Sequence, residues 1–332
     1  MPAAPPAIED VLALADRAEE GLLGSDQEAW VARLQALGPR LEEALDWCAD
    51  HDPERGLVLA ASLWRYFVVA GQLRTGRQQL GWLLGLSPSP SPARLQGLTA
   101  SAVLAAFAGE HDAAAAAAQE AMPLARALDD ELRLGTLDLV EGWSLQAASD
   151  LDRAAARFGE ALERFRDAGH AWGTATALLG LGELARSRGD LARARALYQE
   201  ELSLFERLGD RSAIAASRIN LGLVALGLGS PEEARRHLAE AVRICEALHN
   251  RTFLAGALLG LAALRRAEGR AEAAARLLGE SRALLEATGA SFEPADRRVA
   301  EREEAELRRS LGGAFDHHWR RGHDAPDPRD RA

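Results

Sequence analysis

Apolar residues recur along the chain at helical spacing, and the predicted helices are interrupted at a fixed interval of 40 residues. Turn-forming pairs stand one period apart at Gly109-Glu110, Ser149-Asp150, Gly189-Asp190, Gly229-Ser230 and Gly269-Arg270. A small residue lies seven positions before each pair, at Ala102, Gly142, Gly182, Gly222 and Ala262. Alanine lies five positions after the first residue of each pair, at Ala114, Ala154, Ala194, Ala234 and Ala274. Such a period predicts a solenoid, in which each helix pair packs only on its neighbours.

The segments around the repeats predict a cap at each end of the solenoid. Residues 1–24 are interpreted as a tail and first helix, and 25–86 as capping helices with an irregular first repeat. The run SPSPSPAR at 87–94 predicts an extended linker because proline interrupts helices. Five regular helix pairs are predicted over 95–290. A charged capping helix is predicted at 291–316 and a disordered tail at 317–332.

The register of small and large residues resembles the tetratricopeptide repeat. That family places Leu-Gly in the first helix, alanine twelve residues on and an aromatic residue four later, and one copy here reads Leu181-Gly182, Ala194 and Tyr198. The resemblance implies an all-α, right-handed helical solenoid of about six helix pairs. The period of 40 residues exceeds the usual 34, which longer helices accommodate. HEAT-type repeats have similar periods but lack this register.

The segments before and after the regular repeats make the resemblance to a family more specific. The segments LWRYFVVAGQLRTGRQQLGWLLGL and LRRSLGGAFDHHWRRG are similar to the C-terminal repeat region of bacterial signal-transduction ATPases and of LuxR-type or AfsR-like regulators. In those proteins the region is a sensor and partner-binding arm. The 332 residues contain neither the nucleotide-binding domain nor the DNA-binding helix-turn-helix of that family, so ATP-driven switching and promoter binding are not expected of them.

Composition restricts the chemistry. The net charge of −11 argues against a general nucleic-acid or membrane-surface binder. All 39 basic residues are arginine, so there is no lysine for a P-loop, a kinase or a Schiff base. Cys48 and Cys245 are too far apart in the repeat array to form a disulfide framework or a zinc motif. With no signal sequence evident at the N-terminus, a cytoplasmic protein is expected.

The resemblance also implies a binding surface. In tetratricopeptide proteins the first helices line a concave groove, and that register corresponds here to Phe107, Trp143, Gln146, Glu183, Arg186, Asn220, Leu223 and Arg266. Trp143 is either an exposed anchor or a buried packing residue. Asn220, with Arg186 and Arg218 nearby in register, is either part of a carboxylate clamp or a helix-packing residue.

The leading functional hypothesis is a non-enzymatic module that docks a protein or peptide in this groove, in cytoplasmic signalling or transcriptional regulation. The alternative is a sensor that holds an apolar small molecule there. An enzyme is a third reading, but no nucleophile, acid-base pair or cofactor motif supports it. His317, His318 and His323 cluster near the C-terminus without the ligand spacing of a metal site, and neither a metal nor a cofactor is expected.

Overall fold

A computed structural model describes residues 6–292, 294–325 and 330–331. Across these residues the secondary structure consists of helices and short turns, without a strand, as the sequence predicts. The chain forms two compact units. Unit 1 comprises Met1–Gly180 with Arg207–Asp210, and unit 2 comprises Leu181–Glu206 with Arg211–Ala332.

The helices fall into three groups along the chain. Those before the repeats are α1 (Pro6–Leu22), α2 (Gln27–Ala36), α3 (Gly38–His51), α4 (Pro53–Ser62), α5 (Trp64–Val69) and α6 (Leu73–Leu86). The repeat helices are α7 (Pro92–Phe107), α8 (His111–Ala127), α9 (Glu131–Ala147), α10 (Leu151–Asp167), α11 (Ala171–Ser187), α12 (Leu191–Leu208), α13 (Arg211–Gly227), α14 (Pro231–Ala247), α15 (Arg251–Ala267) and α16 (Ala271–Thr288). The last helices are α17 (Pro294–Leu311) and α18 (Phe315–Asp324), joined by a 3-10 turn.

The turns between repeat helices share one construction. A residue with positive φ follows each helix at intervals of 20 residues, at Gly109, Asp129, Ser149, Gly169, Gly189, Gly209, Gly229, His249, Gly269 and Gly289. The backbone N–H groups of Gly109 and Glu110 donate to the carbonyls of Ala106 and Ala105, which is the Schellman arrangement. The next residue can also cap the following helix, as Asp130 does through its carboxylate. The 40-residue period is therefore two 20-residue helix-and-turn units.

The helices pack through large side chains wedged against glycines. In unit 1, a Cβ atom on Gly142 or Gly180 would lie 2.5 Å or 2.7 Å from the Phe158 ring. Gly142 belongs to the first helix of the same repeat and Gly180 to the first helix of the next one. In unit 2, Leu238 lies between Gly222 and Gly260 in the same way. One side chain thus joins two helices within a repeat and also joins that repeat to the next.

The linker predicted at 87–94 is shorter in the structure, because α7 already begins at Pro92. Proline is tolerated in the first helical turn, where its missing N–H leaves no hydrogen bond unmade. Ser91 caps the helix by accepting a hydrogen bond of 3.1 Å from the backbone N–H of Arg94. The Arg94 guanidinium in turn donates to the carbonyl of Ser87, at 2.6 Å. Within the predicted linker, only residues 87–91 are non-helical.

The C-terminal segment differs from the prediction of disorder over 317–332. Within unit 2, α18 packs on α16, and Phe315 is fully buried. The two helices approach so closely that Gly279 faces the backbone of Trp319, and Gly322 faces the backbone carbonyl of Arg276. Because glycine lacks a side chain, these two positions permit the close contact between the helices. Residues 326–329 and 332 lie outside the described residues.

The turn geometry predicts how two opposite substitutions behave. Ser149→Gly should raise the free energy of unfolding by about 0.5–1 kcal/mol, because Ser149 adopts a φ of 64° that glycine reaches without a steric penalty. Gly189→Ala, at the equivalent turn with a φ of 79°, should lower it by about 1 kcal/mol or more. Urea denaturation of the three proteins measures both changes, and equal stabilities would contradict the role given to these turns.

The glycine wedge predicts a large cost for losing its side chain. Phe158→Ala should lower the free energy of unfolding by about 3–5 kcal/mol, because Phe158 is fully buried and the surrounding helices cannot close the cavity. Phe107→Ala removes the same ring from a position that is 36% exposed, and should cost much less. Thermal melts of the two variants test the difference, and similar melting temperatures would rule out the wedge as described.

Candidate functional site

In unit 1, the predicted groove residues form an aromatic surface at the ends of α7 and α9. Phe107 is 36% exposed, and its ring centroid lies 6.3 Å from that of Trp143. Trp143 is half-buried and meets Phe158 edge-on at 6.1 Å between centroids. Gln146, one turn further along α9, is buried. One part of the Trp143 ring therefore packs on the core, and another meets an exposed aromatic neighbour.

In unit 2, the structure differs from the expectation of an open groove. The side chain of Arg186, on α11, is only 8% exposed and donates to Asp296 of α17 at 2.7 Å. On α15, Arg266 forms a two-point ion pair with the buried carboxylate of Glu303, also from α17. The chain's own α17 thus engages both arginines that were expected to face a partner. The sequence prediction missed this contact because Asp296 and Glu303 are more than 35 residues away from their partners along the chain.

The remaining predicted groove residues of unit 2 are also largely covered. Asn220 and Leu223 on α13 are buried, and Glu183 is half-buried. Of the two arginines considered for a carboxylate clamp, Arg218 pairs with Glu206 at 2.9 Å and Arg186 is bound by α17. The clamp is therefore not assembled in this conformation, and Asn220 occupies a packing position.

A buried polar cluster lies near Arg186 in unit 2. Burial raises the pKa of the Glu201 carboxyl well above its ordinary value, against the opposing effect of a 2.9 Å hydrogen bond from the Ser217 hydroxyl. Burial likewise raises the pKa of Tyr198, although the nearby guanidinium of Arg186 acts in the other direction. Burial therefore favours the neutral form of the Glu201 carboxyl. The repeat register could have revealed its burial, because Glu201 stands one period from the buried residues Ala161 and Ala241.

A second polar cluster, in unit 1, surrounds the fully buried carboxylate of Asp210. It accepts hydrogen bonds from Arg65 at 2.5 Å, from the Gln27 amide at 3.1 Å and from the Trp172 indole at 3.3 Å. The Arg65 guanidinium also lies over the rings of Trp64 and Trp172. The cluster ties the N-terminal helices to the turn before α13, and its filled, enclosed geometry indicates a structural role.

The described residues do not form a group of three or more His, Cys, Asp or Glu side chains that could hold a metal ion. His323 contacts Asp324 at 2.9 Å and Glu286 at 3.1 Å, and these hydrogen bonds raise its pKa.

Burial raises the pKa of Cys48 to about 11 and that of Cys245 to about 12, so both thiols stay protonated. Among the described helices, none has the length and apolar composition needed to cross a bilayer.

Comparison with protein families identifies the repeat. The family model for the tetratricopeptide repeat matches residues 173–247 and, one repeat further, 213–287. Residues 173–287 carry tetratricopeptide repeats. The all-helical repeat fold predicted from the sequence is confirmed by this match and by the structure. The comparison with curated proteins finds no match.

Several solved structures share the fold. The Rap conjugation gene regulator of plasmid pLS20, in complex with a Phr peptide, has a TM-score of 0.58 at 16% identity, over 93% of this chain and 98% of that one. The apo quorum sensor NprR from B. thuringiensis gives 0.54 at 14% identity, covering 95% and 98%. Cut9 with Hcn1 of the APC/C gives 0.57 at 18% identity, over 89% of this chain and 52% of that one. At these identities the likeness concerns the fold alone.

The raised pKa of Glu201 predicts a pH-dependent stability. The contribution of Glu201 to stability is fully present below the unfolded carboxyl pKa of about 4.3 and is lost as the pH rises through the higher folded pKa. Glu201→Gln keeps an acceptor for Ser217 and cannot ionise, so it should raise the free energy of unfolding at pH 8 by about 1–3 kcal/mol.

Denaturant titrations at pH 5 and pH 8 measure this effect. The gain from Glu201→Gln should shrink as the pH falls. Glu200→Gln, which removes an exposed carboxylate from the same helix, serves as the control and should not produce such a pH-dependent gain. A gain from Glu201→Gln that is the same at both pH values would contradict the assignment of a neutral, buried carboxyl.

Proposed function

We propose that this protein is a non-enzymatic interaction module that docks a protein or peptide against the first helices of its repeats. The observation that carries the proposal is the aromatic surface of unit 1, where exposed Phe107 contacts Trp143. Trp143 is fixed from behind by Phe158 and therefore loses little side-chain freedom when a partner binds. Rigid aromatic side chains of this kind are common anchors in protein interfaces.

The comparisons support a role in regulation. Among the proteins that share the fold, one is described as a Rap conjugation gene regulator in complex with a Phr peptide, and another as a quorum sensor. We extend peptide or protein binding to this chain, and place it in cytoplasmic signalling or transcriptional regulation. The net charge of −11 favours a protein or peptide partner over nucleic acid.

The test is a crosslinking experiment in the native cell lysate. A photoreactive amino acid at exposed Ala148, five residues beyond Trp143 and directly after α9, should capture one partner in stoichiometric amount. Trp143→Ala and Phe107→Ala should each reduce its recovery at least tenfold. Trp82→Ala is the matched control, because Trp82 is 45% exposed in unit 1 but lies on α6, outside the repeats. Circular dichroism confirms that the variants fold.

Equal recovery from all variants would place the binding surface elsewhere. If no protein is captured, the lysate is filtered to keep small molecules, and tryptophan fluorescence is compared between wild type and Trp143→Ala. A metabolite signal that depends on Trp143 would replace protein docking with the sensing of a small apolar molecule. The absence of both signals would overturn the proposal.

A further inference from the structure

Helix α17 has one face that is unlike the rest of its surface. Ten of its 18 residues are charged, yet Ala295, Glu303 and Leu307 are buried. Together with half-buried Val299 they recur at intervals of four residues, which places them along one side of the helix. This side packs on the apolar cluster of unit 2, to which Leu307 belongs. Helix α17 is thus an amphipathic helix bound through a narrow stripe.

Two arginines hold the helix at fixed positions. Asp296 and Glu303 are seven residues apart, which corresponds to about 10.5 Å along a helix. Arg186 of α11 receives the first carboxylate at 2.7 Å, and Arg266 of α15 receives the second through two of its nitrogens. Paired arginine-carboxylate contacts impose distance and orientation on the helix that carries the carboxylates. The surface between Arg186 and Arg266 therefore recognises a specific acidic spacing.

The way α17 is held favours exchange over permanent packing. Its largest buried contacts include charged groups, and the net stabilisation from a buried ion pair is small because both partners lose water. Positive-φ glycines lie at both ends of the segment, Gly289 before it and Gly312 after it. Helix α18 packs closely on α16 at Gly322, and Arg308 links α17 to it through an exposed ion pair with Asp316 at 2.9 Å and through contact with the Phe315 ring. Exposed ion pairs of this kind contribute little to stability. Helix α17 can therefore leave while α18 stays in place.

We propose that the seat of α17, the surface of unit 2 that includes Arg186 and Arg266, is an exchangeable docking site for an amphipathic helix of a partner protein. The partner helix carries two carboxylates seven residues apart, with small or aliphatic residues between and beyond them. In the structure α17 is the resident occupant and keeps the site closed until such a helix displaces it. The site lies in unit 2, so it is additional to the aromatic surface of unit 1.

The probe is a fluorescein-labelled peptide with the sequence of residues 294–311, added to the full-length protein. Asp296→Asn combined with Glu303→Gln removes the two carboxylates of the resident helix. This variant should bind the probe at least tenfold more tightly than the wild type, as measured by fluorescence anisotropy. Glu301→Gln combined with Glu304→Gln is the matched control, because it removes two carboxylates that are not buried on the same helix. It should behave as the wild type does.

Specificity is tested on both sides of the contact. A probe with Asp296→Asn and Glu303→Gln should lose at least tenfold in affinity. Arg186→Glu combined with Arg266→Glu, in the protein that carries the unseating changes, should abolish binding. Trp143→Ala should leave the probe affinity unchanged, which separates this site from the one proposed for unit 1. Equal binding by wild type, unseated variant and control would overturn the proposal.

Hydrogen exchange gives an independent reading on the unaltered protein. Excess probe should speed amide exchange in α17 while α18 stays protected. Exchange that is unchanged, or that rises in both helices together, would overturn the proposal, and this reading decides the matter if the unseated variant fails to fold. Light scattering completes the test. If the wild type self-associates in a way that the probe reverses, the occupant is α17 of a second copy and the proposed foreign partner is wrong.

Discussion

The structure depends on how closely two helices can approach within each repeat. A small residue on the first helix, glycine in three of the five repeats, provides the space, and a large side chain on the second helix can fill it, as Phe158 does beside Gly142. Because the same ring also meets Gly180 of the next repeat, forming a helix pair and stacking two pairs are one interaction. The positions of the first helices follow from this contact, and so does the alignment of the side chains that they present.

The sequence pattern predicts those features that depend on residues close together along the chain. The turns at Ser149 and its equivalents are visible because each needs only one local conformation, and the pairing of Gly142 with Phe158 follows from their fixed spacing. The contacts of Arg186 and Arg266 could not be predicted, since their carboxylates come from a helix 110 and 37 residues away. The prediction of disorder from residue 317 failed for the same reason, because the contact of Gly322 with α16 cannot be seen in its immediate neighbours.

The two proposed binding surfaces differ in the kinds of buried residues around them. The aromatic pair of unit 1 rests on an apolar core, and its exposed edge offers contact area with little charge. The surface proposed in unit 2 instead involves buried ionisable groups, among them Glu201 and the ion pair of Glu303 with Arg266. Burial of apolar surface can stabilise contacts with many different partners. A buried polar group instead lowers the affinity for any partner that leaves it without a hydrogen bond. If both proposals hold, the first surface suits general attachment and the second discrimination among partners.

The cluster around Asp210 has a consequence for dissecting the protein. Unit 1 is not continuous in sequence, because the residues Arg207–Asp210 return to it after the chain has entered unit 2. A fragment cut after Gly180 would keep Arg65 in its buried position. It would lose Asp210, the only carboxylate that the Arg65 guanidinium contacts among the described residues. Leaving one member of a buried ion pair alone costs about 3–5 kcal/mol, a large share of the stability of an ordinary domain. A stable N-terminal fragment must therefore extend past residue 210, although the continuous part of unit 1 ends 30 residues earlier.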